Sequence, residues 1–403
     1  MAWVNDHFHS DKTRPHRLPA GFANLVTRSG HVAVAHGEAA RWGRTIIESA
    51  LQIIFWEIAL KRVNKLFIAL ALTAISVGMS SLAVAQSPPT GIGAAAPASA
   101  AAASAPGAKD WKAPDITKLP DDKYGQSVRQ GRLLMEETYK HIGPEVKDVK
   151  KRYAGNNLAC TSCHMEAGGR KFGNPWVGTF ASFPQYRGRE DAVSTSEERI
   201  NGCMERSMNG KQLPLDSEEM KAMMAYLHFL STGIPVGSKV EGGGTLKLKT
   251  LARAADPVAG KQVYANTCVA CHGDKGQGVR RGKAGDANGY LFPPLWGPDS
   301  YNNGAGMGRI TLAAGFIKGN MPSGITHLNA VLTDEQAFDV AAFINSQPRP
   351  VKRDLEKDFP ARKNKPVDAA FPPYTPGFSA EQHKFGPWQP IEEARAKGIY
   401  PLK

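Results

Sequence analysis

Two stretches of the chain carry the same arrangement of sulfur and imidazole: Cys160, Cys163 and His164, then Cys268, Cys271 and His272, each as Cys-x-x-Cys-His. Two thiols at that spacing can form thioethers to the vinyl groups of a haem while the adjacent histidine ligates the iron from the proximal side. A redox dithiol or half of a zinc site uses the same cysteine spacing. Neither asks for a histidine directly after the second cysteine, and no thioredoxin-like βαβ pattern surrounds these motifs. The pattern predicts two covalently bound c-type haems.

Each iron then needs a sixth ligand. In the second unit Met321 stands before Pro322, and Met307 is the only other methionine there. Thioether ligation raises a haem's potential and suits electron transfer, so Met321 is the expected ligand and a core methionine the bland alternative. In the first unit the fifth cysteine, Cys203, lies in Arg199-Ile200-Asn201-Gly202-Cys203-Met204-Glu205-Arg206-Ser207-Met208-Asn209-Gly210. Met204 or Met208 would make an ordinary electron carrier, whereas a Cys203 thiolate would stabilise ferric iron and lower the potential. A small buried hydrophobe or an intermolecular disulfide are the other uses of such a cysteine. Arg187, Arg189, Arg199 and Arg206 lie close to it in sequence with few carboxylates to balance them. Guanidinium forks suit sulfur oxyanions as they suit phosphates, and pairing with haem propionates is the equal alternative.

Helices must present these groups. The pattern predicts one over Gly125–Ile142, before the first haem motif. A second is opened by an Asp216-x-x-Glu219 box and places Met220, Met223, Met224, Leu227 and Leu230 on one face, ending before Gly233-Ile234-Pro235. The order then repeats: a helix over Pro257–Asn266, the second motif, and a helix opened by Thr333-x-x-Gln336 with Ala337, Val340, Ala341 and Ile344 on its apolar face. The expected fold class is all-α, with two helical domains at 111–237 and 256–347, long loops, and an interdomain linker at 238–255. The Pro- and Lys-rich segment 348–403 is expected as an extended tail lying over the domains.

Composition fits this reading. With 403 residues, 42% of them apolar and 22% charged, the chain is long enough for two globular domains. Five cysteines are too few for a disulfide scaffold. The net charge of +13 is spread out, with no basic run interleaved with aromatics, so no nucleic-acid partner is expected. Lys61, Arg62 and Lys65 lead into the apolar run Leu66–Val84, which closes with Ala83-Val84-Ala85 before Gln86. That order predicts a secretory signal peptide over 63–85, cut after Ala85, with Val63 as the initiator and 1–62 as an untranslated upstream extension. The Ala/Pro-rich stretch 86–110 is expected as a flexible linker. The mature protein would be periplasmic, with no stable membrane insertion after cleavage.

The stretch Tyr139–Gly237 resembles the thiosulfate dehydrogenase family of dihaem cytochromes. The resemblance rests on Ala154-Gly155-Asn156-Asn157-Leu158, Phe183-Pro184-Gln185-Tyr186-Arg187 and the Arg199–Gly210 block, with Pro293-Pro294-Leu295-Trp296-Gly297 and Tyr301-Asn302 in the second unit. It covers nearly all of Tyr124–Pro348. It implies class I cytochrome c folds in tandem and the coupling of two thiosulfates into tetrathionate. Cys203 would be the thiolate ligand of the first haem and Arg189, Arg199 and Ser207 the substrate pocket. Cys203 would also be a candidate carrier of a thiosulfate-derived adduct. Some members place a lysine before the methionine and exchange ligands at the second haem. Asn320 stands there in this chain, so constant His272/Met321 ligation is expected. Electrons would leave through the second haem to a soluble periplasmic cytochrome or similar acceptor. A tetrathionate reductase running the reverse reaction, or a non-catalytic dihaem electron-transfer subunit using Met208, are the competing classes.

Overall fold

The computed structural model describes residues 108–402, so the expected upstream extension, the signal peptide and the linker as far as residue 107 lie outside the described residues. The first unit begins with α1, Lys123–Glu136, started by the Asp122 carboxylate, which accepts from the Gly125 N–H. The continuous helix expected as far as Ile142 breaks at Glu137 and resumes for a single turn, Thr138–His141. Helix α2, Ser196–Arg206, opens on a full capping box between Thr195 and Glu198. Helix α3, Glu218–Leu230, starts one residue later than the Asp216-x-x-Glu219 pattern implies. Ser217 is its cap, with the hydroxyl accepting from Met220 N. Glu219 is engaged elsewhere, 3.0 Å from Lys151 Nζ, which leaves the serine as acceptor for the first free amides.

The second unit repeats the scheme with α4, Pro257–Thr267, α5, Ile310–Asn320, and α6, Asp334–Ser346, the last opened by the expected Thr333/Gln336 box. In both units the first and last helices cross at a glycine. A Cβ on Gly131 would sit 1.9 Å from the Ala222 carbonyl oxygen, and one on Gly260 would sit 1.9 Å from that of Asp339. The helices approach that closely because no side chain intervenes. Each crossing carries its own core. Val128, Leu134, Met220, Met223 and Leu227 belong to the first, while Tyr264, Phe338, Val340 and Ala341 belong to the second. Met224, expected on the buried face of α3, is only partly buried. Two small antiparallel ladders complete the units: β1, Gln185–Arg187, with β2, Ala192–Ser194, and β3, Val279–Arg280, with β4, Tyr290–Phe292.

The segments outside the helices are packed. Residues 108–110, expected as the end of the flexible linker, belong to the folded part: Ala108 is fully buried and its carbonyl accepts from Glu241 N. The segment expected as the interdomain linker pairs Thr245 with Gly173 and passes Leu246 against α5, where a Cβ on Gly315 would meet the Leu246 carbonyl at 1.9 Å. The tail is not extended throughout. It forms α7, Ala380–Phe385, and α8, Gln389–Ala396, and buries Trp388 and Ile391 completely in the second core. Those two side chains carry enough apolar area to make docking favourable over a loose extended path. Among the described residues no helix is long and apolar enough to cross a membrane.

Candidate active site and haem-binding cavities

Cys160 begins a single 3-10 turn, Cys160–Ser162, in which Ser162 Oγ accepts from Ala159 N. His164 follows with its ring stacked on Trp176 at 4.6 Å between centroids. Its Nδ1 donates to the Asn174 carbonyl at 2.5 Å, which leaves Nε2 free as a metal ligand. Burial pushes the imidazole down to about 4, so it is neutral, the form that binds iron. Cys160, Cys163, His164, Cys203, Met204, Ser207 and Met208 line one narrow slot of about 70 Å³. The second unit uses the same device. His272 Nδ1 donates to the Pro293 carbonyl at 2.8 Å, and burial again lowers its pKa. Here Cys268, Cys271, His272 and Met321 line a cavity of about 340 Å³. Met321 follows the last residue of α5, and the preceding Asn320 donates its amide to the Phe172 and Phe316 carbonyls, both at 3.0 Å. In each cavity a thiol pair, a neutral imidazole with Nε2 free and a sulfur donor on or just after a later helix converge, which is the donor set a covalent haem requires.

The two cavities share a wall. Leu158, Ala159, Cys163, Tyr301 and Met307 line both. Nothing in the sequence spacing separates Met307 from an ordinary core residue, and its position between the cavities emerges only from the fold.

The turn after Cys203 is clamped from both units, by Gly155 and Asn156 of the first and Asn302 of the second. Gly155 N donates to the Met208 carbonyl at 2.8 Å, and a Cβ at Gly155 would lie 2.0 Å from the Asn209 carbonyl oxygen. Asn156, fully buried, donates to the Ser207 carbonyl at 3.0 Å and the Ser300 carbonyl at 3.2 Å. From the second unit Asn302 donates through its side chain to the Glu205 carbonyl at 2.8 Å and through its backbone to the Arg206 carbonyl at 3.2 Å.

The arginines divide into two groups. Arg199, one turn before Cys203 on α2, places Nη1 2.6 Å from Cys203 Sγ. Arg187 pairs with Glu190 at 3.1 Å, and burial together with the nearby Arg199 charge lowers its pKa. Arg189 and Arg206 instead meet a carboxylate delivered by the tail. Asp358 lies 2.6 Å from Arg189 and takes a two-point contact from Arg206 at 2.8 and 3.2 Å. The scarcity of carboxylates suggested by the sequence is therefore corrected in the fold, because no spacing rule ties residue 358 to residues 189 or 206. Of the four expected pocket residues, Cys203 and Ser207 line the slot and Arg199 contacts Cys203, whereas Arg189 is held in the tail contact.

Two families match this chain: the SoxA/TsdA cytochrome c domain over residues 148–236 and cytochrome c over residues 257–348. Thiosulfate dehydrogenase from Psychrobacter arcticus is 40% identical over 258 residues, which are 64% of this chain and 74% of the relative. The chain belongs to the thiosulfate dehydrogenase family. Thiosulfate dehydrogenase from Allochromatium vinosum is 44% identical over 243 residues, 59% of this chain and 84% of that one. Among solved structures, thiosulfate dehydrogenase TsdBA from Marichromatium purpuratum, in its as-isolated form, matches with a TM-score of 0.53 at 35% identity. That match covers 60% of this chain and 50% of the solved one, so this chain spans half the length of that structure. The expected fold class holds: two cytochrome c domains stand in tandem, each binding one covalent haem c.

Proposed function

We propose that the protein is a thiosulfate dehydrogenase that joins two thiosulfate dianions into tetrathionate. One S–S bond forms, and each thiosulfate gives up one electron. When bound, the two haems supply one one-electron acceptor each, the first at the reacting sulfurs and the second toward an external acceptor. His164 and Cys203 would hold the first, with His272 and Met321 holding the second.

The observation that carries this reading is the Arg199 guanidinium on Cys203 Sγ at the slot lined by His164 and Ser207. Two dianions repel each other, and the cost rises as water is excluded. Arg199, with Arg187 beside it, offsets that charge where the sulfurs must meet. The Ser207 hydroxyl adds a donor for a sulfur oxyanion, and the Asn156 and Asn302 contacts keep its turn in place. Arg189, paired with Asp358 of the tail, is the remaining expected anion contact. Thiosulfate as substrate is supported by the activity for which the relatives are named. The signal-peptide pattern of residues 63–85 supports a periplasmic location, with a soluble cytochrome or similar protein as acceptor.

Met204 and Met208 line the same slot as Cys203, which favours an electron-carrier subunit as the second reading. Steady-state assay of the purified holoprotein separates the readings. Ferricyanide reduction that depends on thiosulfate is expected. Turnover only with tetrathionate and a reduced dye would assign the reverse reaction, and no turnover in either direction would assign a carrier.

A further inference from the structure

Arg189 and Arg206 come from different places, the turn between β1 and β2 and the end of α2, yet they converge on one group. That group is the Asp358 carboxylate, whose side chain is 5% exposed against 15% for Arg189 and 12% for Arg206. Two guanidinium groups this enclosed repel each other, and burial with the Arg206 charge pulls Arg189 down to about 10. The shared carboxylate is what lets both remain charged side by side. Burial alone would raise the Asp358 pKa, and the two arginines outweigh that and lower it.

The contact is built on more than charge. Phe359 N donates to the Arg189 carbonyl at 2.7 Å, and the Phe359 ring lies 4.7 Å from the Arg189 guanidinium carbon. Arg189 Nη1 also donates to Gly304 of the second unit at 3.1 Å. Arg206 Nη1 donates at 3.2 Å to the carbonyl of Gly202, the residue directly before Cys203. A buried ion pair is weak evidence for stability, because an apolar replacement of similar shape often serves as well. What it supplies here is direction: three chain segments are pinned so that both guanidinium groups have fixed orientations, Arg206 directly before Ser207 of the Cys203 slot and Arg189 beside it on the shared carboxylate.

We propose that Asp358 is a positioning residue of the anion pocket, holding Arg189 and Arg206 in the orientation that receives the oxyanion end of thiosulfate beside Cys203. This rests on the functional reading above. Asp358 acts through the arginines and makes no contact with the reacting sulfurs.

The test is thiosulfate binding to electrochemically reduced full-chain holoprotein, which cannot turn over, followed by titration calorimetry. Asp358→Asn is expected to raise Kd by about tenfold or more with haem content and visible spectrum unchanged. Asp358→Glu, which keeps the charge at a different reach, should recover only part of that loss and leave Kd raised about threefold. Adding Asp358→Asn to the double variant Arg189→Gln with Arg206→Gln should weaken binding no further, since Asp358 acts only through those two arginines. A Kd within twofold of wild type in Asp358→Asn, or a further loss when it is added to that double variant, would overturn the proposal. Should Asp358→Asn fail to accumulate, Asp358→Glu decides: a Kd raised about threefold supports the proposal and an unchanged one overturns it. Wild-type holoprotein that neither binds nor oxidises thiosulfate would overturn the functional reading and this inference together. Binding and turnover in wild type with no change in the variants would overturn this inference alone.

Discussion

Replacing Arg199 with Gln removes one positive charge at the point where the structure places it 2.6 Å from Cys203 Sγ. A hydrogen bond to a charged group contributes about 1.5–3 kcal/mol. The Coulomb estimate is about 4 kcal/mol for unit charges 4 Å apart at an effective dielectric of about 20. Arg199 is only partly buried, so screening takes away on the order of half of that. Both routes converge on about 2 kcal/mol, which corresponds to roughly a 30-fold loss in kcat/KM for thiosulfate. Arg199→Lys keeps the charge without the fork and should recover only part of the loss. The assay is thiosulfate-dependent ferricyanide reduction by holoprotein of verified haem content, repeated at low and high salt. The deficit should narrow as salt rises, because wild type loses its electrostatic advantage. A kcat/KM within twofold of wild type at low salt, with both haems present, would refute the assignment of Arg199 to the reacting anions.

Met321→Gly should retain both haems, because the thioethers and His272 are untouched, and lower the potential of the second haem alone in a redox titration. An unchanged second potential would mean that another side chain is the ligand. Cys203→Gly should keep both covalent haems and lose thiosulfate oxidation by orders of magnitude, while Cys203→Met should raise the first potential and also impair turnover. Near-normal activity in both variants would hand the ligand role to Met204 or Met208. In the tail, the Lys365 amino group donates to the Phe371 and Pro373 carbonyls, and burial, then Arg362 and Arg395, pushes its pKa down to about 7. An unfolded lysine titrates near 10.4, so between about pH 7 and 10 the unfolded state binds more protons and stability rises with pH. The rise is bounded by about 1.4 kcal/mol per pH unit, and Lys365→Met should flatten Tm measured across that window. An identical slope in the variant would rule the group out.

The haem chemistry was readable in the chain because it depends on neighbours in sequence. Cys-x-x-Cys-His needs only the spacing within one turn, and the Thr333/Gln336 box is likewise local. The start of α3 was misplaced by one residue because two adjacent residues, Asp216 and Ser217, both cap well, and the choice turned on Lys151, far away, engaging Glu219. Asp358 was invisible for the same reason at larger scale. Its partners lie in another domain, and its own neighbourhood of Lys and Pro reads as solvent-facing chain. Trp388 and Ile391 carried a signal that composition obscured, since two large apolar side chains in a Pro-rich tail have little reason to stay in water.

Leu158, Ala159, Cys163, Tyr301 and Met307 form the partition common to both cavities, and neither unit owns it. Halves of this kind cannot be treated as interchangeable parts. Excising the second unit would open the first pocket to water along the face that Tyr301 and Met307 close, and it would strip the turn after Cys203 of its Asn302 contacts. Grafting the second unit of a relative would succeed only if the donor brought matching residues at this partition. Selection on the two units is therefore joint: drift in the loop from Ser300 to Met307 is constrained by the chemistry of a pocket whose haem-motif thiols, Cys160 and Cys163, lie far upstream in the other unit.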